Sequence, residues 1–285
     1  MTDLDERAEE LRNDRTHGGS WLARRAVEGL IAVIEQPAGS TDEFLERLLD
    51  AARRLAAARP SMGAVTHAVG RLAASAQTAS HLPPEELRRL VAEEANALIA
   101  GRDRAAASIA VHLRPQLEDA TVLTHSASAT VREAVVHGSP ARVLCTVSAP
   151  VEEGLTFAAD LKAEGVPAEL VDERDLVQSL TAASLVLVGA DTVYEDGSLK
   201  NKIGTRPLAE KAAAAGVRVV VACESLKLAP IDPPAAEDEP DLRDTTPPAL
   251  IDQIVTEEGF SEPEHIRVVI DQTPFLRDGY RLLSG

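Results

Sequence analysis

The chain has 285 residues and a formal net charge of −17, and so acidic a surface repels nucleic-acid phosphates and anionic membranes. The length suits two domains, or one large domain with an appendage. The hydrophobic fraction of 45% supports a sizeable core, which must be aliphatic because aromatics make up only 2%.

Acidic, Lys-poor, Ala- and Arg-rich composition is that expected of a salt-adapted organism with a GC-rich genome. The start, MTDLDERAEELRNDR, is acidic and polar, unlike a signal peptide. No apolar run approaches the ~18 residues of a membrane span. The expected location is the cytoplasm. The two cysteines, Cys145 and Cys223, fall in predicted buried strands with no CxxC pairing, as reduced core thiols would.

Residues 1–115 predict helices. GGSWLARRAVEGLIAVIEQ places Leu22, Ala26, Leu30 and Ile34 on one face, with Ser20 as the expected N-cap. STDEFLERLLDAARRLAAAR opens on a capping signal, Ser40 or Thr41 with Glu43, and stops before Pro60. Two more helical segments follow, the second opening on Pro83 and Pro84.

At Pro115 the texture changes. ATVLTH, ARVLCTVSAP, PAELVD, SLVLVGAD and VRVVVACES are near-continuous apolar runs separated by helical segments. Strands covered on both faces look like this, and their alternation with helices predicts an α/β fold with a doubly wound, mainly parallel sheet over 116–285. The Pro-rich, acidic LAPIDPPAAEDEPDLRDTTPP is expected as a surface loop, ALIDQIVTEEG as a helix and HIRVVID as a last strand. That strand and the apolar tail YRLLSG suggest a covered face, hence a dimer interface in this half.

Parallel sheets bind ligands beyond the carboxyl ends of their strands. After the first strand come His125, Ser126 and Ser128 at a helix start, a place for a phosphate or simply a cap. His125 is expected as a packed, hydrogen-bonded strand-end residue. After the fourth strand comes Asp191, able to exchange a proton, bind sugar hydroxyls or tie its turn. Only five of the 29 basic residues are lysine. Three of them, Lys200, Lys202 and Lys227, fall in segments that follow strands. Lys200, Asn201, Lys202, Gly204 and Thr205 would bring ammonium, amide and helix N-terminus together, which is anion-binding chemistry. No metal and no cofactor is called for.

TVLTHSAS, GAD, NKIGT, ESLK and DTTPPALIDQIVTEEG, in this order and spacing, resemble a family signature. The family comprises the alpha, beta and delta subunits of eukaryotic translation initiation factor 2B, their archaeal relatives, and isomerases of 5-methylthioribose 1-phosphate and ribose 1,5-bisphosphate. The resemblance implies a helical N-terminal domain, 1–115, and a Rossmann-like domain, 116–285, that dimerises. It implies ligand contacts at Gly18, Gly19 and Ser20; at Arg59; at Ser128, Ala129 and Thr130; at Asn201 and Lys202; and at Lys227, leaving Lys200 facing solvent. The family's enzymes shift a proton between C2 and C1 of an aldose phosphate with a Cys and an Asp. Here the Asp is Asp191, but the Cys position holds Ser126. A thiol near pKa ~8.5 exchanges protons at neutral pH; a serine hydroxyl needs a dedicated base, and the sequence displays none. The family's Glu-x-Arg-Pro also stands as Val147–Pro150. The reading is therefore a non-catalytic, initiation-factor-2B-like regulatory protein with a sugar-phosphate or nucleotide pocket. Its expected partners are a second copy of itself in a homodimer or higher homo-oligomer, a small phosphorylated ligand and an initiation factor 2 subunit. The alternatives are an aldose–ketose isomerase using Asp191, with Ser126 as its partner, and a scaffold with a vestigial pocket.

Overall fold

The computed structural model describes residues 3–14, 16–234 and 242–284. The chain divides into two compact units, one of residues 1–102, 226–230 and 268–285, the other of residues 103–225 and 231–267. The first therefore takes in two segments that lie inside the second domain of the sequence reading.

The first unit is helical. It holds α1 (Asp3–Asn13), α2 (Gly19–Ile34), α3 (Thr41–Ala58), α4 (Gly63–Thr78) and the first half of α5 (Pro84–Leu117). Leu22, Ala26, Leu30 and Ile34 are all buried, as their spacing predicts. Ser40 caps α3 by accepting the Glu43 amide at 3.2 Å, and the Glu43 carboxylate reaches back to the Gly39 amide at 2.7 Å. The expected Ser20 cap is wrong: α2 starts at Gly19, two residues earlier than that cap implies, Gly18 is the N-cap without a side-chain bond, and Ser20 is buried inside the first turn. Pro115 does not end α5, which runs two residues further.

The last helix, α11 (Leu276–Ser284), packs on α4 through two glycines. A Cβ on Gly279 would lie 2.6 Å from the Gly70 carbonyl carbon, so only glycine permits this approach. Leu276 and Tyr280 are buried within the unit. Within the tail, Tyr280 is thus covered by its own chain, while Leu282 and Leu283 stay half-buried.

The second unit is built on a seven-stranded sheet. Its strands are β1 (Thr121–Thr124), β2 (Arg142–Thr146), β3 (Ala168–Val171), β4 (Leu185–Val188), β7 (Val219–Ala222), β10 (Gln253–Thr256) and β11 (Gly259–Ser261). The order is β11-β10-β7-β4-β1-β2-β3, parallel except for the β10–β11 hairpin. Counting parallel strands along the chain gives 3-2-1-4-5-6, the doubly wound order whose crevice opens between β1 and β4. Val122, Val143, Leu185, Leu187 and Val220 form one core with the second half of α5, α6 (Ala129–Gly138) and α7 (Glu153–Ala163). The other face meets α8 (Leu176–Ala182) and α9 (Thr205–Ala215).

Two assignments reverse. DQIVTEEG is strand β10 and a turn, because Ile254 and Val255 enter the sheet beside β7. HIRVVID is a short 3-10 turn running into α10 (Ile266–Gln272). Ile266 and Ile270 are buried four residues apart while Val268 is 52% exposed, which is helical periodicity. Three valine or isoleucine residues in a row masked it. The Pro-rich loop falls partly on 235–241, outside the described residues. After β4 the chain builds a second, antiparallel ladder of β5 (Thr192–Tyr194), β6 (Leu199–Lys202) and β9 (Arg243–Thr246). The two-residue β8 (Leu228–Ala229) belongs to the first unit.

Candidate functional site at the carboxyl edge of the sheet

In the second unit the carboxyl ends of β1, β2 and β4 carry a dense polar network. His125, just past β1, is 4% exposed. Its Nε2 donates to the Ile203 carbonyl at 2.8 Å, which fixes the tautomer, so Nδ1 accepts from the Thr146 hydroxyl at 2.7 Å. The chain of donors continues backwards. Ser148 Oγ lies 3.0 Å from Thr146 Oγ1, and Ser148 Oγ accepts the Ser126 amide at 2.8 Å. Burial pushes the imidazole below its ordinary range and keeps it neutral. With both nitrogens engaged, His125 is not a base for Ser126. Gly204 packs on it: a Cβ there would meet the ring at 2.8 Å, and its φ of 102° suits only glycine.

Ser126 itself sits in the left-handed region, φ 66°. Its hydroxyl donates to the Glu153 carboxylate, and the same carboxylate oxygen pairs with Lys202 Nζ at 3.1 Å. Glu153 is a partner the sequence reading missed. It lies 27 positions along the chain from Ser126 and enters the edge only because α7 starts there. Gly154 sets that start. Its amide donates to the Val147 carbonyl at 3.2 Å, and a Cβ would lie 1.8 Å from the Thr146 carbonyl oxygen. A Gly following a Glu after β2 is the signal that could have found it.

Asp191, just past β4, is 9% exposed, and its Oδ2 accepts from Arg243 Nε at 2.6 Å. Register explains the pairing: Arg243 stands opposite Lys202 on β9, and the Asp191 amide bonds the Lys200 carbonyl at 3.0 Å.

Lys200, Asn201 and Lys202 are on a strand, not in a loop. Alternation sends Lys200 and Lys202 to one face and Asn201 to the other. Asn201 Nδ2 donates to Thr205 Oγ1 at 3.1 Å. Lys200 does not face solvent; it is 5% exposed. The N-terminus of α9 is already filled, because the Asp244 carboxylate accepts the Gly204 amide at 2.7 Å and the Arg206 amide at 3.1 Å. Two internal carboxylates, Glu153 and Asp244, therefore occupy positions that the sequence reading reserved for a ligand's anion.

The third element of the edge is the start of α6. Ser128 is its N-cap, accepting the Val131 amide at 3.3 Å, and Thr130 Oγ1 donates to the buried Glu224 at 2.8 Å. Gly189, after β4, comes close enough that a Cβ would meet Ser128 Oγ at 2.4 Å. Ala129 and Thr130 lie in the first turn, where backbone N–H groups have no intrahelical acceptor. Burial pushes the Cys145 thiol up to about 12, so it stays protonated.

The remaining predicted contacts lie in the helical unit. Gly18 is exposed, and Gly19 and Ser20 are buried in the first turn of α2. Arg59, 5% exposed, donates to the Asp14 carbonyl at 2.6 Å, which places it beside the loop that leads to Gly18. In that loop His17 stacks on Trp21 at 3.8 Å between ring centres. Lys227 is buried in a 3-10 turn over Ser225–Lys227. Among the described residues no helix is long and apolar enough to cross a membrane.

Residues 15–244 match the model of the initiation factor 2 subunit family. The chain is 31% identical over 77% of its length to an eIF-2B subunit 2-like protein of Pyrococcus furiosus, of which it covers 77%. It is 30% identical over 92% of its length to a ribose 1,5-bisphosphate isomerase of Haloferax volcanii, of which it covers 90%. Its fold is similar to a chain of the tetrameric eIF2B-beta2-delta2 complex from C. thermophilum, with a TM-score of 0.81 and 23% identity, covering 93% of this chain and 92% of that one. The motifs after β1, β4 and β6, the doubly wound sheet and the matched residues together establish that this chain belongs to the initiation factor 2 subunit family.

Proposed function

We propose that this protein is a non-catalytic, initiation-factor-2B-like regulatory protein whose sheet edge holds a sugar phosphate or a nucleotide. One observation carries the reading. At the position where the family's enzymes place a thiol, Ser126 donates its hydroxyl into a Glu153–Lys202 ion pair. A hydroxyl held as a donor to a carboxylate is a binding group, not an acid poised near neutral pH. Asp191 is likewise held by Arg243. The ligand contacts on this edge are Ser128, Ala129 and Thr130 at the start of α6, with Asn201 and Lys202 on β6. In the helical unit, taken by itself, the proposed contacts are Gly18, Gly19, Ser20, Arg59 and Lys227. A second copy of the chain and an initiation factor 2 subunit are the partners this role requires, and the cytoplasm its location; assembly of a related chain into a tetramer agrees with an oligomer.

A second reading draws on the same contact. Glu153 supplies the base that Ser126 lacks in the sequence, so an aldose–ketose isomerase would use Asp191 and a Ser126–Glu153 pair. Incubation of the purified protein at high salt with ribose 1,5-bisphosphate or 5-methylthioribose 1-phosphate separates the two. The expected outcome is no ketose, with thermal stabilisation by sugar phosphates or nucleoside monophosphates. Robust turnover that disappears in Asp191→Asn would sink the regulatory reading.

A further inference from the structure

We infer that Glu153 decides the chemical class of the ligand: the position between Ser126 and Lys202 takes a hydroxyl group and excludes a second phosphate, so the pocket selects monophosphorylated sugars or nucleoside monophosphates over sugar bisphosphates. The inference rests on the proposed reading that this edge binds a phosphorylated ligand.

The Glu153 carboxylate already satisfies what a ligand anion would satisfy there. It accepts the Ser126 hydroxyl and neutralises Lys202, whose ammonium lies 3.1 Å away. Both side chains are largely withdrawn from water, Lys202 at 15% and Glu153 at 18% exposure, so their charges are weakly screened. The carboxylate is held in place rather than swinging from a surface helix. Gly154 lies flush on the end of β2, with no room for a Cβ beside the Thr146 and Val147 carbonyls, and so fixes where α7 begins. A phosphate entering this position brings only acceptors and a second negative charge against a pinned carboxylate. A sugar hydroxyl brings a donor that Glu153 accepts. Asp244 strengthens the same bias from the neighbouring element, since its carboxylate already caps α9. Two of this edge's cationic or donor positions are thus filled from within the chain, which leaves the α6 side for the single phosphate.

Calorimetric titration of the full chain with ribose 5-phosphate, adenosine monophosphate and ribose 1,5-bisphosphate tests this, in wild type and in Glu153→Gln. Wild type is expected to favour the monophosphates by about 10-fold or more, and Glu153→Gln to erase or reverse that ratio, since a like charge a few ångströms away costs on this order even in a well-solvated site. The same ratio is read in Glu153→Ala, so the result does not hang on the folding of one variant. Equal wild-type affinity for mono- and bisphosphates, or a ratio unchanged in both variants, overturns the inference and leaves the pocket reading intact. No binding of any of the three to wild type or variants overturns both.

Discussion

The interior of the parallel sheet and its carboxyl edge are built on different physics a few residues apart on the same strands. In the interior, Val122, Leu185, Leu187 and Val220 are fully buried and carry no polar side-chain atom. Their contribution scales with volume and area, and one aliphatic residue there resembles another. At the edge, His125, Thr146, Ser148, Ser126 and Glu153 are joined by directed bonds between donors and acceptors. Exchange of one member strands its neighbour. The interior therefore tolerates conservative exchange and punishes lost volume. The edge punishes lost identity even when volume is kept.

Four measurements would break or sharpen that contrast. Leu187→Ala is expected to cost about 2–5 kcal/mol in chemical denaturation, while Leu187→Met costs under about 1.5 kcal/mol. Similar losses from both would dissolve the distinction. At the edge, His125→Leu keeps the approximate volume but leaves the Thr146 hydroxyl and the Ile203 carbonyl without the ring; the expected loss is about 1–3 kcal/mol per stranded group.

That variant also carries a pH signature. Burial lowers the folded-state pKa of His125 below its ordinary value of 6.5. The unfolded chain therefore takes up the proton first. The associated stability is full above pH 6.5 and is lost as pH falls through the lower folded value. Melting temperatures between pH 8 and pH 5 should fall more steeply in wild type than in His125→Leu, and parallel curves would show that the ring is not held neutral. The smallest effect is expected at the N-cap of α6. Ser128→Ala should cost about 1 kcal/mol, and Ser128→Asp should restore most of it unless contact with Gly189 excludes the larger side chain.

The helical unit adds a related lesson about glycine. Gly70 and Gly279 let α4 and α11 touch backbone to backbone, while Gly154 and Gly204 let polar groups of the edge be pinned in place. The first pair serves packing and the second serves orientation, yet all four are indistinguishable as letters.

By itself the sequence determined the succession of helices and strands through most of the chain, because periodicity and capping are local: the α2 stripe, the Ser40 cap and the five apolar runs all follow from neighbours within a few residues. It also carried the family, through the segments after β1, β4 and β6. It misread DQIVTEEG and HIRVVID, where short runs of branched residues suit either state until the sheet beside β7 accepts one and a helical turn buries Ile266 and Ile270 of the other. Only the tertiary structure decided who meets whom at the edge. That Glu153 lies against Ser126 and Lys202, that Asp244 fills the start of α9, and that Arg243 holds Asp191 are all contacts between residues 27 to 52 positions apart. No local pattern encodes such pairings. They follow from where a strand ends and a helix begins, which in turn depends on register and on glycines such as Gly154 that allow two backbones to touch.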